Sequence, residues 1–514
     1  MLRAAFLLIL LLLAGPARAE PSDIAAAGRG VVRVVLVSND GGSVQYVGHG
    51  SGFAVAPDLV VTNAHVVAPL QQDDTMIVGV VPSEGSSGYM AKVVAYSPRN
   101  DLALLKLTDK GAIPALTLFQ GAVADGAEVY AVGYPGNVDQ AQGLSLAEIV
   151  APQAAVKTRG YMSAGRSSRE FDTLLHTAPV GSGNSGGPLL DSCGRVIGVN
   201  SFGTLSEGAD SEFYFAVSMR EVATFLRQAG VQPRVSGMPC RSIAELDAAE
   251  TKRQQADRLQ ADAIARQQAD RLALNRSRAT REAEFAVLDE RDNGLALALL
   301  LAMFALAAGG TAALYHQRED RRSATIAGAV AAGLLIGAGL AWLSRPSLAS
   351  IDERAAEALA APSPTATGGV EQPTPGAGAL TCIFDPERSR ATVSDVADVA
   401  LDWSADGCVN GRTQYGLAND GWSRILVPND EATISLNAYD PKTRTYRVER
   451  YLMALDAMTK ARAARSGFTP PKCGVGESAA RAFGANQSAI RALLPPSPNE
   501  RLVYHCQPAP GTDR

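Results

Sequence analysis

Ser185 stands in the run Gly181-Ser182-Gly183-Asn184-Ser185-Gly186-Gly187-Pro188-Leu189, a composition that suits a nucleophile. A serine hydroxyl that attacks a carbonyl has to be exposed on a tight turn, and glycines around it let backbone N–H groups approach the substrate. Upstream, Val60-Val61-Thr62-Asn63-Ala64-His65-Val66-Val67 ends a strand-like run on a histidine, where a general base can be held in one orientation. Between the two lies Arg99-Asn100-Asp101-Leu102-Ala103-Leu104-Leu105-Lys106-Leu107, an acid at the mouth of a buried strand. Singly, each residue has an ordinary reading: a satisfied strand-end histidine, a turn aspartate, a serine in a glycine-rich loop. Together and in this order, His65, Asp101 and Ser185 read as base, orienting acid and nucleophile, the set that forms and hydrolyses an acyl intermediate.

Such a set works only on a rigid frame, and the flanking sequence supplies one. From Ser22 to Val235 short runs rich in β-branched residues alternate with Gly, Pro, Asn and Asp turns. Strands are expected at Val31–Val37, Gly52–Val55, Leu59–Thr62, Met76–Val81, Leu102–Leu107, Glu128–Gly133 and Val196–Ser201. No long helical period appears before Met219 to Gly230, so the region is an all-β barrel or sandwich.

The motifs Gly50-Ser51-Gly52-Phe53, Thr62-Asn63-Ala64-His65, Asp101-Leu102-Ala103 and Gly183-Asn184-Ser185-Gly186-Gly187-Pro188 resemble those of HtrA (Deg) type trypsin-like serine proteases. The resemblance runs from about Ile24 to Gly230, under half of the chain. It implies a trypsin-like double β-barrel, each barrel six-stranded, with His65 and Asp101 from the first barrel and Ser185 from the second. It also implies an oxyanion hole made by the N–H groups of Gly183 and Ser185, and no metal or organic cofactor. Phe215-Ala216-Val217 resembles the strand lining that family's specificity pocket, so Phe215 and Val217, with Val180 and Gly181 before the nucleophile, are the candidate substrate-pocket residues. The run Ala178-Pro179-Val180-Gly181 departs from the family's asparagine-containing pattern and holds no acid, which favours a small or medium apolar P1 side chain over Lys or Arg. Many members carry a PDZ domain at the point where a charged helical pattern begins here, and no second β-rich module of the right size follows directly.

The chain around this domain reads as an export and anchoring apparatus. Residues 1–19 have the positive start, apolar core and Gly15-Pro16-Ala17-Arg18-Ala19 end of a signal peptide, with cleavage expected after Ala19. The protease-like domain is placed at 22–237 and a long charged helix at 242–293, where one seven-residue word, Arg253 to Leu259, repeats thirteen residues on as Arg266 to Leu272. Ala249, Ala256 and Ala263 recur at heptad steps beside Leu259, but alanines and charges along the seam leave a weak coiled coil and a solvated single helix both open. Residues 294–314 and 325–343 are free of charged side chains and each is close to the roughly 20 residues that cross a hydrocarbon core. Arg318, Arg321 and Arg322 in the loop 315–324 favour its cytoplasmic placement, which leaves both flanks outside. A Pro/Ala/Gly-rich linker is expected at 346–379, then a small disulfide-bonded α+β domain at 380–514, with strand-like runs at Ser423–Val427 and Thr433–Ala438 and a helical run at Glu449–Ala464.

The six cysteines support an oxidising compartment. Cys382, Cys408, Cys473 and Cys506 suit two bridges of unreadable pairing, while Cys193 and Cys240 are either a third bridge or buried free thiols. The net charge of −5 gives no electrostatic reason to expect nucleic acid, and the remaining histidines, His49, His176, His316 and His505, lack metal-ligand spacing. The expected partners are protein or peptide substrates and membrane lipid, and the Gly333/Gly337 step leaves homo-oligomerisation open. The expected location is a bacterial inner membrane with both large domains in the periplasm. Two functions compete: an active endopeptidase, and a regulated or inactive protease-fold scaffold that senses or binds. A channel is disfavoured, because neither span contains an ionisable residue.

Overall fold

The computed structural model describes residues 21–40, 43–167, 171–204, 212–360 and 376–510. The expected signal peptide, residues 1–19, and much of the expected linker lie outside the described residues.

Six strands close into the first barrel: β1 (Val31–Asp40), β2 (Ser43–Ala56), β3 (Leu59–Thr62), β4 (Met76–Pro82), β5 (Tyr89–Ser97) and β6 (Leu102–Leu107), in the order β1-β2-β3-β6-β5-β4. Its interior is aliphatic, with Val32, Val34, Val60, Val80 and Leu105 all near zero exposure. The second ring is built from β8 (Glu128–Gly133), β9 (Val156–Ser167), β10 (Asp172–His176), β11 (Pro188–Asp191), β12 (Val196–Gly203) and β13 (Tyr214–Ser218). Pairing of β11 with both β8 and β12 closes it, and the short β7 (Leu118–Phe119) and β14 (Val235–Ser236) extend one edge. This is the trypsin-like double barrel. Strands β5, β9, β10 and β11, with the short β7 and β14, were not expected from the sequence. Along β5 partly buried and exposed residues alternate without an apolar run long enough to announce a strand; only pairing with β4 and β6 reveals it.

One compact unit contains residues up to Glu250 together with the C-terminal segment from Gln372 onward, and a second comprises 251–371. In the first unit the C-terminal segment forms a nine-stranded antiparallel sheet bounded by three short helices, Leu455–Ser466, Glu477–Asn486 and Ser488–Arg491. The helical run expected at Glu449–Ala464 is corrected: a strand, Thr445–Leu452, precedes the helix. Residues Arg447, Val448 and Glu449 are fully paired between neighbouring strands on both sides, and that ladder outweighs their helix propensity.

The second unit is helical. The continuous helix Ile243–Gln317, which begins in the first unit, runs through both the charged and the apolar expectations, and Arg321–Leu343 follows. Both are long and apolar enough to cross a membrane. Leu259 and Leu272 on the charged part are 71% and 70% exposed within this chain. The linker expectation needs one correction, since Ser350–Ala360 forms a helix within it; Ala and Glu there are good helix formers, and no proline lies between Pro346 and Pro362 to interrupt it.

All six cysteines are paired, as Cys193–Cys240, Cys382–Cys506 and Cys408–Cys473. Cys382 and Cys506 face each other on adjacent strands, a juxtaposition that no sequence spacing reveals.

Candidate active site

His65 sits on the single helical turn Ala64–Val67 that follows β3. Asp101 occupies the residue before β6 with φ 51°, a left-handed conformation that aspartate tolerates better than most side chains. Because β3 and β6 are paired, with Thr62 opposite Ala103, the two side chains meet. Asn63 Nδ2 donates to the Asp101 carbonyl at 2.7 Å and holds the acid's backbone in place.

The Asp101 carboxylate accepts the His65 backbone N–H at 3.0 Å and His65 Nδ1 at 2.9 Å. A carboxylate can only accept, so the proton is on Nδ1 and the lone pair of Nε2 is left to act as base. Asp101 Oδ2 also accepts the Ser201 hydroxyl at 2.5 Å. Ser201, within β12, thus ties the acid of the first barrel to the second; no motif marked it, because a serine in a strand has no distinctive neighbourhood in sequence.

Ser185 reaches the same place from the second barrel. Its hydroxyl donates to the Ser201 carbonyl at 3.1 Å, and among the described residues no hydrogen bond joins it to His65. The glycines around it are required by close approach: a Cβ on Gly186 (φ +88°) would lie 2.2 Å from the Ser51 carbonyl oxygen, and one on Gly183 (φ +99°) 2.4 Å from the Tyr134 carbonyl oxygen. The barrels are stitched beneath this turn, where Ser51 N–H donates to the Ser185 carbonyl at 2.8 Å and Ser51 Oγ to the Gly183 carbonyl at 2.7 Å. The N–H groups of Gly183 and Ser185 have no hydrogen-bond partner among the described residues, as an oxyanion hole requires.

Of the candidate pocket residues, Val180 is partly buried against the core cluster that contains Met162, Ala178 and Ala216. Phe215 stacks on Phe202 with ring centroids 4.7 Å apart. The carbonyl of Gly181 accepts the Asn184 N–H at 3.0 Å, and Val217 is fully buried in the core with Val132 and Val199. His176, at the end of β10, is fully buried beside Tyr214, and burial pushes its pKa down to about 4.

This frame and site define a class. Residues 50–199 match the family described as trypsin-like peptidase domain. The chain is 33% identical over 228 residues to the serine protease Rv3671c of Mycobacterium tuberculosis, covering 44% of this chain and 52% of that one. It is 32% identical to human serine protease HTRA4, over 42% of this chain and 43% of the relative. To the magnetosome formation protease MamE of Paramagnetospirillum magneticum it is 32% identical, over 34% and 23%. The crystal structure of the Rv3671c protease in its active form aligns at 27% identity with a TM-score of 0.32, covering 43% of this chain and 91% of that one. The similar proteins are serine proteases, HtrA members among them, and the chain spans about half the length of the first curated relatives it matches.

Proposed function

We propose that the chain is a serine endopeptidase tethered to a membrane, acting through His65, Asp101 and Ser185. His65 takes the Ser185 proton as the hydroxyl attacks a peptide carbonyl, Asp101 holds the imidazole and stabilises its charge, and Gly183 and Ser185 N–H groups receive the oxyanion. His65 gives that proton to the leaving amine as the C–N bond breaks, and water, deprotonated by His65, then hydrolyses the acyl-enzyme, the proton returning to Ser185 Oγ. The carrying observation is the Asp101 carboxylate that fixes His65 through Nδ1 while two unpaired N–H groups flank the serine. The substrates are envelope or misfolded proteins.

The anchor is the hairpin of the two apolar helices, with spans at 294–314 and 325–343. Segments on either side of the hairpin fold into one unit, which requires the chain to return to the side it left, and two crossings do that. Three disulfides favour the periplasmic side of an inner membrane. The domains follow as protease 22–237, helix 242–293, hairpin with a cytoplasmic loop 315–324, and C-terminal domain 380–514.

A regulated or resting scaffold is the second reading, favoured by one observation: the Ser185 hydroxyl is committed to the Ser201 carbonyl instead of His65. Fluorophosphonate labelling of the full chain in membranes, beside Ser185→Ala, separates the two. Labelling lost with Ser185→Ala supports the endopeptidase; a folded wild-type chain that never labels overturns it in favour of the scaffold.

A further inference from the structure

A second histidine lies against the serine turn. His49, on β2, has a side chain only 7% exposed, and a Cβ on Gly183 would come within 2.8 Å of its Nε2. Nε2 lies 2.8 Å from the Tyr134 carbonyl oxygen, which can only accept, so Nε2 carries the proton. Nδ1 is therefore the acceptor, and the Tyr46 hydroxyl donates to it at 2.5 Å. Asp139 Oδ2 stands 3.4 Å from Nε2 while Asp139 Oδ1 takes Arg33 at 2.8 Å, and the Arg33 guanidinium lies over the Tyr134 ring at 4.8 Å.

The turn that His49 holds is the one that orients the oxyanion hole. Two residues beyond Tyr134, the Gly136 N–H donates to the Ser182 carbonyl at 2.8 Å. The Ser182–Gly183 peptide is trans, so a carbonyl fixed toward Gly136 sends the Gly183 N–H the opposite way, away from that loop. The Tyr134 N–H meanwhile donates to Ser51 Oγ at 2.9 Å, and Ser51 Oγ holds the next carbonyl, that of Gly183. Both carbonyls beside the Gly183 N–H are thus anchored to a segment whose own backbone oxygen is held by His49.

We infer that His49 is a positioning residue for the oxyanion hole: through the Tyr134 carbonyl it keeps the 134–136 turn where it aims the Gly183 N–H at a developing oxyanion. The inference rests on the endopeptidase reading. Tyr46 is part of the device, because its hydroxyl fixes the imidazole tautomer that donates to Tyr134. Loss of the device leaves substrate binding intact and weakens only an interaction made in the transition state, so kcat falls and KM does not.

The test uses the full chain in detergent with a peptide p-nitrophenyl ester, comparing wild type, His49→Leu, His49→Gln and Tyr46→Phe, each with a thermal melt. His49→Leu is expected to lower kcat about 10- to 100-fold, part of what a lost oxyanion donor costs. His49→Gln, whose amide can still donate to Tyr134, recovers part of that. Tyr46→Phe, a single hydroxyl deleted at the surface, keeps the fold and lowers kcat several-fold at constant KM. Unchanged kcat in Tyr46→Phe and in folded His49→Leu overturns the inference, as does a loss confined to KM. A folded wild type that neither turns over ester nor labels with fluorophosphonate overturns the endopeptidase reading instead.

Discussion

Asp23 and Arg390, 367 positions apart, form a buried ion pair at 2.5 Å with both side chains 2% exposed. Asp23 belongs to the helix Pro21–Gly28 that precedes the first barrel, and Arg390 to the C-terminal domain. Each guanidinium nitrogen has a partner: Nε donates to the Arg241 carbonyl at 2.7 Å, Nη2 also reaches Cys193 Sγ at 3.2 Å, and Nη1 meets the Asn499 carbonyl. Asn499 Nδ2 donates to Asp23 Oδ1 at 2.8 Å, so one cluster locks the C-terminal domain to the protease domain. Arg390→Met leaves a buried carboxylate without its partner and is expected to destabilise the fold by about 3–5 kcal/mol. Chemical denaturation should show Asp23→Leu restoring part of that loss; strictly additive losses would mean that the pair is not what couples the domains.

At Asp101, the shared carboxylate makes two graded predictions. Asp101→Asn, which frees the imidazole to adopt the wrong tautomer, should lower kcat by about 10⁴. Ser201→Ala removes one hydrogen bond to the same carboxylate and should cost about 10-fold, the worth of a charge-assisted bond. Steady-state kinetics on one ester substrate checks both, and a Ser201 effect equal to that of Asp101 would assign Ser201 a different role.

His176 gives the fold an acid limit. Buried neutral with a pKa near 4, it takes up a proton in the unfolded chain below about 6.5 but not in the folded one. The unfolded state then binds more protons, so stability is full above pH 6.5 and falls as pH drops toward 4, by about 3 kcal/mol in all. Melts across that window should flatten in His176→Gln; an unaltered slope would place the acid sensitivity elsewhere.

The Cys193–Cys240 bridge ties the turn after β11 to the segment leaving the protease domain, with 47 positions between its ends. Cys240→Ser should lower stability by about 3–4 kcal/mol through the released loop. Its effect on the melt of the full chain measures this, and a change under 1 kcal/mol would show that Arg390 alone holds the junction.

What could be read along the chain was local. Leu59–Thr62, Leu102–Leu107 and Glu128–Gly133 were legible because β-branched and apolar residues cluster between turn residues, and Gly183 to Pro188 because a tight serine turn needs small neighbours. Tyr89–Ser97 was not, since its register with β4 and β6 depends on partners elsewhere in the chain. Likewise Thr445–Leu452 carries helix-compatible residues that a two-sided ladder makes into a strand.

The sequence by itself determined the kinds of groups and their order: base, acid and nucleophile on a β scaffold, two apolar helices, and six cysteines in need of partners. Tertiary structure alone decided which groups meet. Ser201 reaches Asp101 across 100 positions, Ser51 reaches Gly183 across 132, and Arg390 reaches Asp23 across 367. Hydrogen bonds and ion pairs act over about 3 Å, and positions so far apart in the chain come that close only through the closure of the barrels and the docking of the C-terminal sheet.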